Sequence, residues 1–118
     1  MNLKTFLKLV FFLYVFVILI FSVLPVKSDI VTASDKINHA IGFSVYFILY
    51  RLAFEKYTYF LIFITGCIVG VLIEFFQSFF PYRDASGYDL LADIAGLFIG
   101  FIFIYIWDRI KTKLYVII

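Results

Sequence analysis

The sequence is poor in the residues from which most catalytic and metal sites are made. It has one cysteine, Cys67, and one histidine, His39, in 118 residues. A single cysteine excludes an intrachain disulfide and a cysteine-rich metal centre, and a single histidine argues against a histidine-based zinc site within one chain. Cys67 sits among Gly66, Ile68 and Val69, where it reads as a small packing residue. Charged residues are only 15% of the chain and the formal net charge is +2, too little to suggest a nucleic-acid surface. No glycine-rich phosphate loop, nucleophile motif or metal-spaced cluster stands out, and no internal repeat or low-complexity segment.

What the sequence has in excess is apolar surface. Hydrophobic residues are 65% of the chain and aromatic residues 23%, with a mean hydropathy of +1.10. Ordinary globular domains sit near roughly half apolar and a quarter charged. The composition therefore predicts an integral membrane protein with a single domain spanning 1–118. Four apolar runs, at about 6–24, 35–54, 59–80 and 88–107, each approach the ~20 residues a helix needs to cross the hydrocarbon. The fold expected is all-α, a polytopic four-helix up-down bundle, because the connections are too short for anything but antiparallel neighbours.

Local signals mark the helix ends. Thr32-Ala33-Ser34-Asp35 and Ser86-Gly87-Tyr88-Asp89 both fit the capping box that opens a helix. Pro81 closes the third run, and the basic-then-apolar tail 108–118 reads as an interfacial stub. Lys4 and Lys8 ahead of the first run resemble a signal peptide. No small-residue cleavage site follows, so a retained helix is expected. Seven basic residues (Lys4, Lys8, Arg51, Lys56, Arg109, Lys111, Lys113) fall on one side and three (Lys27, Lys36, Arg83) on the other. The positive-inside rule then puts both termini in the cytoplasm and the loops around 25–34 and 81–87 outside.

Polar residues inside the apolar runs carry the functional question. Asp35, His39, Gly42 and Tyr46 share one helical face, as do Gly66, Gly70, Glu74 and Gln77, and then Asp89, Asp93, Gly96 and Gly100. Glycines at four-residue spacing let helices approach closely, so these three faces are expected to meet. His39, Glu74 and Asp93 each lie roughly 7–9 Å in from the outer helix end at 1.5 Å per residue. Asp35, Lys36, Gln77, Arg83 and Asp89 would form a ring above them. The pattern predicts an outward-facing polar pocket.

Each residue also has a plainer reading. Asp35 and Asp89 fit helix capping, a contact worth only ~0.3–1 kcal/mol. Lys36 fits a side chain reaching for headgroups, and Arg83 a phosphate-level anchor. Glu74 and Asp93 are too deep to cap anything, and their plain reading is pairing with Lys36, His39 or Arg83. The glycine stripes fit packing.

The ordered set Asp35-Lys36-x-x-His39, Glu74-x-x-Gln77, Arg83 and Asp89-x-x-x-Asp93-x-x-Gly96-x-x-x-Gly100 resembles the VanZ-like family of small bacterial membrane proteins. The resemblance runs from the Ser22–Pro25 region to Gly100. The family is named for a member linked to low-level teicoplanin resistance, so the resemblance implies a place in the bacterial cell envelope and a connection to antibiotic resistance. One departure is visible: Asp93 stands where family members commonly have Asn, which adds a carboxylate to the set.

Three functions fit. The first is a site for an anionic lipid or glycan-lipid headgroup. Lys36 and Arg83 would hold phosphate, and His39, Glu74 and Asp93 would carry any acid–base chemistry. Asp35, Gln77 and Asp89 would complete the binding ring, and Asp89 with Asp93 offers a place for a divalent cation, although no dedicated metal site or other cofactor is expected. The second is a non-catalytic accessory protein whose polar residues fix helix register and which docks on a membrane partner or a second copy. The third, proton- or ion-coupled transport, ranks last because one four-helix unit has no internal repeat.

Overall fold

A computed structural model describes residues 1–23, 33–80 and 87–117 of the chain, with the side chains of residues 33–35 and 115–117 left out. Arg83 and the capping residues Thr32 and Ser86 lie outside the described residues, as does the side chain of Asp35. All regular structure among the described residues is helical: α1 (Leu3–Val23), α2 (Ala33–Ala53), α3 (Tyr59–Gln77) and α4 (Gly87–Ile117).

Side-chain caps set two of the starts. The Asn2 carboxamide oxygen accepts from the Thr5 amide at 2.8 Å and opens α1. Thr58, in extended backbone, accepts from the Leu61 amide at 3.2 Å and opens α3. Each satisfies one of the donors that a helix N-terminus leaves over. α3 ends at Gln77, three residues before the expected end at Phe80, in turns running up to Pro81. The chain ahead of a proline is pushed out of helical geometry, which accounts for the early stop.

α4 corrects a second boundary. It continues to Ile117 over 31 residues, so 108–117 is helix rather than a separate stub. Nothing in Asp108–Leu114 breaks a helix, and Thr112 donates back to the Asp108 carbonyl at 2.9 Å.

The helices alternate in direction, as contacts at the two ends demonstrate. At one end Lys4 of α1 reaches Leu52 of α2 and Glu55 just beyond it, and Arg51 of α2 and Tyr59 of α3 both reach Asp108 of α4. At the other, Gln77 of α3 reaches Ser22 of α1, and Lys36 of α2 reaches Asp89 of α4. The expected up-down four-helix bundle is present. α1, α3 and α4 are long and apolar enough to cross a membrane. α2 matches α1 in length but carries Asp35, Lys36, His39 and Arg51, and it packs against all three other helices.

The tightest seam joins α2 to α4. A Cβ placed on Gly96 would run into the Ala40 carbonyl, and one on Gly100 would lie 2.5 Å from the Ser44 carbonyl oxygen. Only glycine lets the two backbones touch at these two levels, one helical turn apart. Phe47, Ile62 and Leu97 fill the interior completely, while Phe6, Phe12, Phe16, Phe75, Phe79 and Phe98 point outward. An outside this aromatic suits lipid as the surrounding medium.

Candidate functional site

Four polar side chains converge at the end of the bundle where α2 and α4 begin and α3 finishes. His39 and Asp93 form its centre. His39 projects from the second turn of α2, and its Nδ1 lies 2.7 Å from Asp93 Oδ1 on α4. With Asp93 ionised, its carboxylate accepts and Nδ1 carries the proton. Asp93 is completely buried. Its second oxygen, Oδ2, points at the α3 backbone, where a Cβ on Gly70 would come within 3.0 Å of it. Gly70 thus makes the recess in which that oxygen sits. Oδ2 has no hydrogen-bond partner among the described residues.

One turn nearer the helix start, Asp89 takes the Lys36 ammonium in an ion pair, with the carboxylate 5% exposed and the lysine 36%. On α3, the buried Gln77 donates from Nε2 to the Ser22 carbonyl of α1 at 2.8 Å, and its Oε1 has no hydrogen-bond partner among the described residues. Glu74 is half-buried one turn beyond Gly70 on the same face of α3, with Oε1 withdrawn from solvent.

The structure therefore brings Lys36, His39, Asp89 and Asp93 together in two cross-helix pairs, with Gln77 tied to α1. In this arrangement Lys36 and Asp89 engage each other, where the sequence suggested Lys36 on phosphate. Likewise Asp89 and Asp93 are each occupied by a different α2 side chain, at the place the sequence offers to a divalent cation. Among the described residues, no three His, Cys, Asp or Glu side chains are placed to hold a metal ion. The stripe Asp35–His39–Gly42–Tyr46 is also split. His39 turns to α4, while Gly42 faces α1 and accepts at its carbonyl from Tyr14 Oη at 2.6 Å. Tyr46 packs on Phe11 of α1 with ring centroids 5.5 Å apart and lies against Gly66 of α3.

A second polar cluster was missed by sequence reasoning. At the opposite end, Arg51 Nε donates to Asp108 Oδ2 at 3.1 Å, and its Nη1 donates to the carbonyls of Glu55 at 2.7 Å and Tyr57 at 3.0 Å. Tyr59 Oη donates to the same Asp108 oxygen at 2.5 Å, and the guanidinium lies 4.9 Å from the Tyr59 ring centroid. The available signal was an arginine closing one apolar run and an aspartate closing its antiparallel neighbour.

Chemically, the two ends differ in what they leave open. The His39 end has a proton-competent imidazole, an excess of carboxylates over its one described cation, and two buried acceptor oxygens that call for donors. Comparison with protein-family models, with curated proteins and with solved structures found no match.

Proposed function

We propose that this chain is a multi-pass protein of the bacterial cytoplasmic membrane, with both termini in the cytoplasm, that binds the headgroup of an envelope lipid at its outward-facing polar end. The reading joins the VanZ-like motif order to the positive-inside distribution and the polar cluster. One observation carries the choice of ligand: Asp93 Oδ2 and Gln77 Oε1 are buried acceptors without a donor among the described residues. Leaving such groups unmatched costs about 1–3 kcal/mol each, so a ligand bringing hydroxyl or amine donors is favoured there. Among the described residues at this end, Glu74, Asp89 and Asp93 outnumber the one lysine, Lys36, which favours the sugar portion of a lipid-linked glycan over a bare phosphate. Any phosphate in that headgroup falls to Arg83, with the Lys36 ammonium, 36% exposed beside Asp89, as a second and already shared cation. Binding suffices for this reading; His39 with Asp93 supplies a proton-transfer pair if a bond is also broken.

Native mass spectrometry of the protein extracted from bacterial membranes tests it. Wild type is expected to carry a sugar-bearing lipid adduct that Gln77→Met and Arg83→Ala lose while remaining folded, and that the distant Glu55→Gln keeps. A bare wild type, or the same adducts in all four proteins, overturns the reading.

A second reading has its own observation. Both described α2 groups at this end are matched by α4, Lys36 by Asp89 and His39 by Asp93. The cluster then fixes helix register in an accessory protein, and the bare-protein outcome would favour it.

A further inference from the structure

At the basic end, α1 and the α2–α3 turn form a cleft of about 250 Å³, lined by Lys4, Lys8 and Lys56 and by the single carboxylate of Glu55, with Phe54 as a wall. A second cleft, of about 330 Å³, shares Phe54 and runs between α1 and α2 past Phe12, Val15 and Tyr50. The first is cationic and the second aromatic. Lys4 is spoken for: it pairs with Glu55 at 2.7 Å and donates to the Leu52 carbonyl at 3.0 Å. Glu55 is shared with Lys111 at 3.6 Å. Lys8 and Lys56 have no carboxylate partner among the described residues; their ammonium groups lie 5.5 Å from the Phe54 ring and 5.1 Å from the Tyr57 ring. Two uncompensated cations thus stand at the mouth of an aromatic groove. From Lys8 to Val15 that groove follows α1 for roughly 10 Å, enough for the upper part of one acyl chain.

We propose that the paired clefts form a discrete site for one anionic phospholipid, its phosphate between Lys8 and Lys56 and one acyl chain along the aromatic groove. Basic pockets between membrane helices hold anionic headgroups in this way. Charge complementarity selects the headgroup, and the apolar groove, opening beside the outward-facing Phe6, Phe12 and Phe16, selects a chain already dissolved in the bilayer. The alternative is that these lysines only reach toward headgroups in general, with the field of the whole basic end giving a diffuse attraction. The site lies at the far end of the bundle from His39 and does not depend on the glycan-binding proposal.

Native mass spectrometry separates site from field. The detergent-purified protein is mixed with equimolar phosphatidylglycerol and phosphatidylcholine of identical chains. Wild type is expected to take one phosphatidylglycerol with several-fold preference over phosphatidylcholine. Lys8→Gln with Lys56→Gln is expected to bring the preference to near parity. Arg109→Gln with Lys113→Gln removes the same charge outside the cleft and is expected to retain it. Val15→Trp, which fills the groove and leaves every charge in place, is expected to lower adduct occupancy several-fold. Equal loss in the two double variants, a preference that survives in Lys8→Gln with Lys56→Gln, or full occupancy in Val15→Trp would each overturn the proposal.

Discussion

The two ends of this bundle are built from the same ingredients and finish differently. Each ties α2 to α4 through an aspartate of α4 and a nitrogen base of α2. At the basic end the tie is shared among several partners: Arg51 spends three N–H groups on Asp108 and two carbonyls, and Asp108 also accepts from Tyr59. At the His39 end the ties are separate pairs, Lys36 with Asp89 and His39 with Asp93, and Asp93 Oδ2 and Gln77 Oε1 find no hydrogen-bond partner among the described residues. A network that consumes its own donors and acceptors can only stabilise. One that keeps buried capacity is free to receive something, and the binding proposed at the His39 end rests on this difference.

The comparison can be broken most forcefully between the two ends. Gly96→Ala would drive a methyl into the Ala40 carbonyl and part α2 from α4. The expected cost is on the order of 3 kcal/mol, the upper part of the overpacking range, read as a lowered unfolding midpoint in detergent. A cost under about 1 kcal/mol would mean the seam can yield and the ends are not rigidly joined. Next comes Asp108→Asn, which removes the charge shared by Arg51 and Tyr59. A loss of about 1.5–3 kcal/mol is expected, as for hydrogen bonds to charged groups. Asp93→Asn should cost less, within about 1 kcal/mol, because removing a buried charge also removes its desolvation penalty. If Asp93→Asn proves the more damaging of the two, the assignment of roles is inverted.

The smallest effect is a pH dependence confined to the basic end. The hydrogen bond from Lys4, aided by the charges of Lys4 and Lys111, holds the Glu55 carboxyl below the ordinary carboxylate range. A carboxyl depressed in the folded state contributes stability that is present above its unfolded pKa, about 4.3, and lost as pH falls through the folded value. Glu55 is half-exposed, so solvent screening keeps the contribution below about 1 kcal/mol. Thermal melts from pH 7 to 3 should show wild type converging on Glu55→Gln at the acid end. A constant gap across that range would remove Glu55 from the account.

Much of the seam was legible in the sequence because helical spacing survives folding. Asp89, Asp93, Gly96 and Gly100 do form one face of α4, and Gly66 and Gly70 do turn toward it. Partner identities were not legible. Whether His39 meets Glu74 or Asp93 depends on the rotation and axial shift of two helices, quantities that no spacing within one helix encodes. The same ignorance hid Arg51 and Asp108, which looked like separate end-of-helix charges. The split of the α2 stripe has a related cause: a helix surrounded on three sides presents more than one face to its neighbours, so Gly42 could serve α1 while His39 served α4. The length of α4 was not legible because the basic-then-apolar tail after Trp107 looks like a separate segment, whereas Asp108–Leu114 contains no residue that stops a helix.

The α2–α4 pairing also sets an order of events. Lys36, His39 and Arg51 find their aspartates 53, 54 and 57 residues further along the chain. α4 follows α2 in the chain, so these three pairs can form only once α4 has been made. The α2–α4 seam therefore closes on the later helix, and the earlier one waits for it.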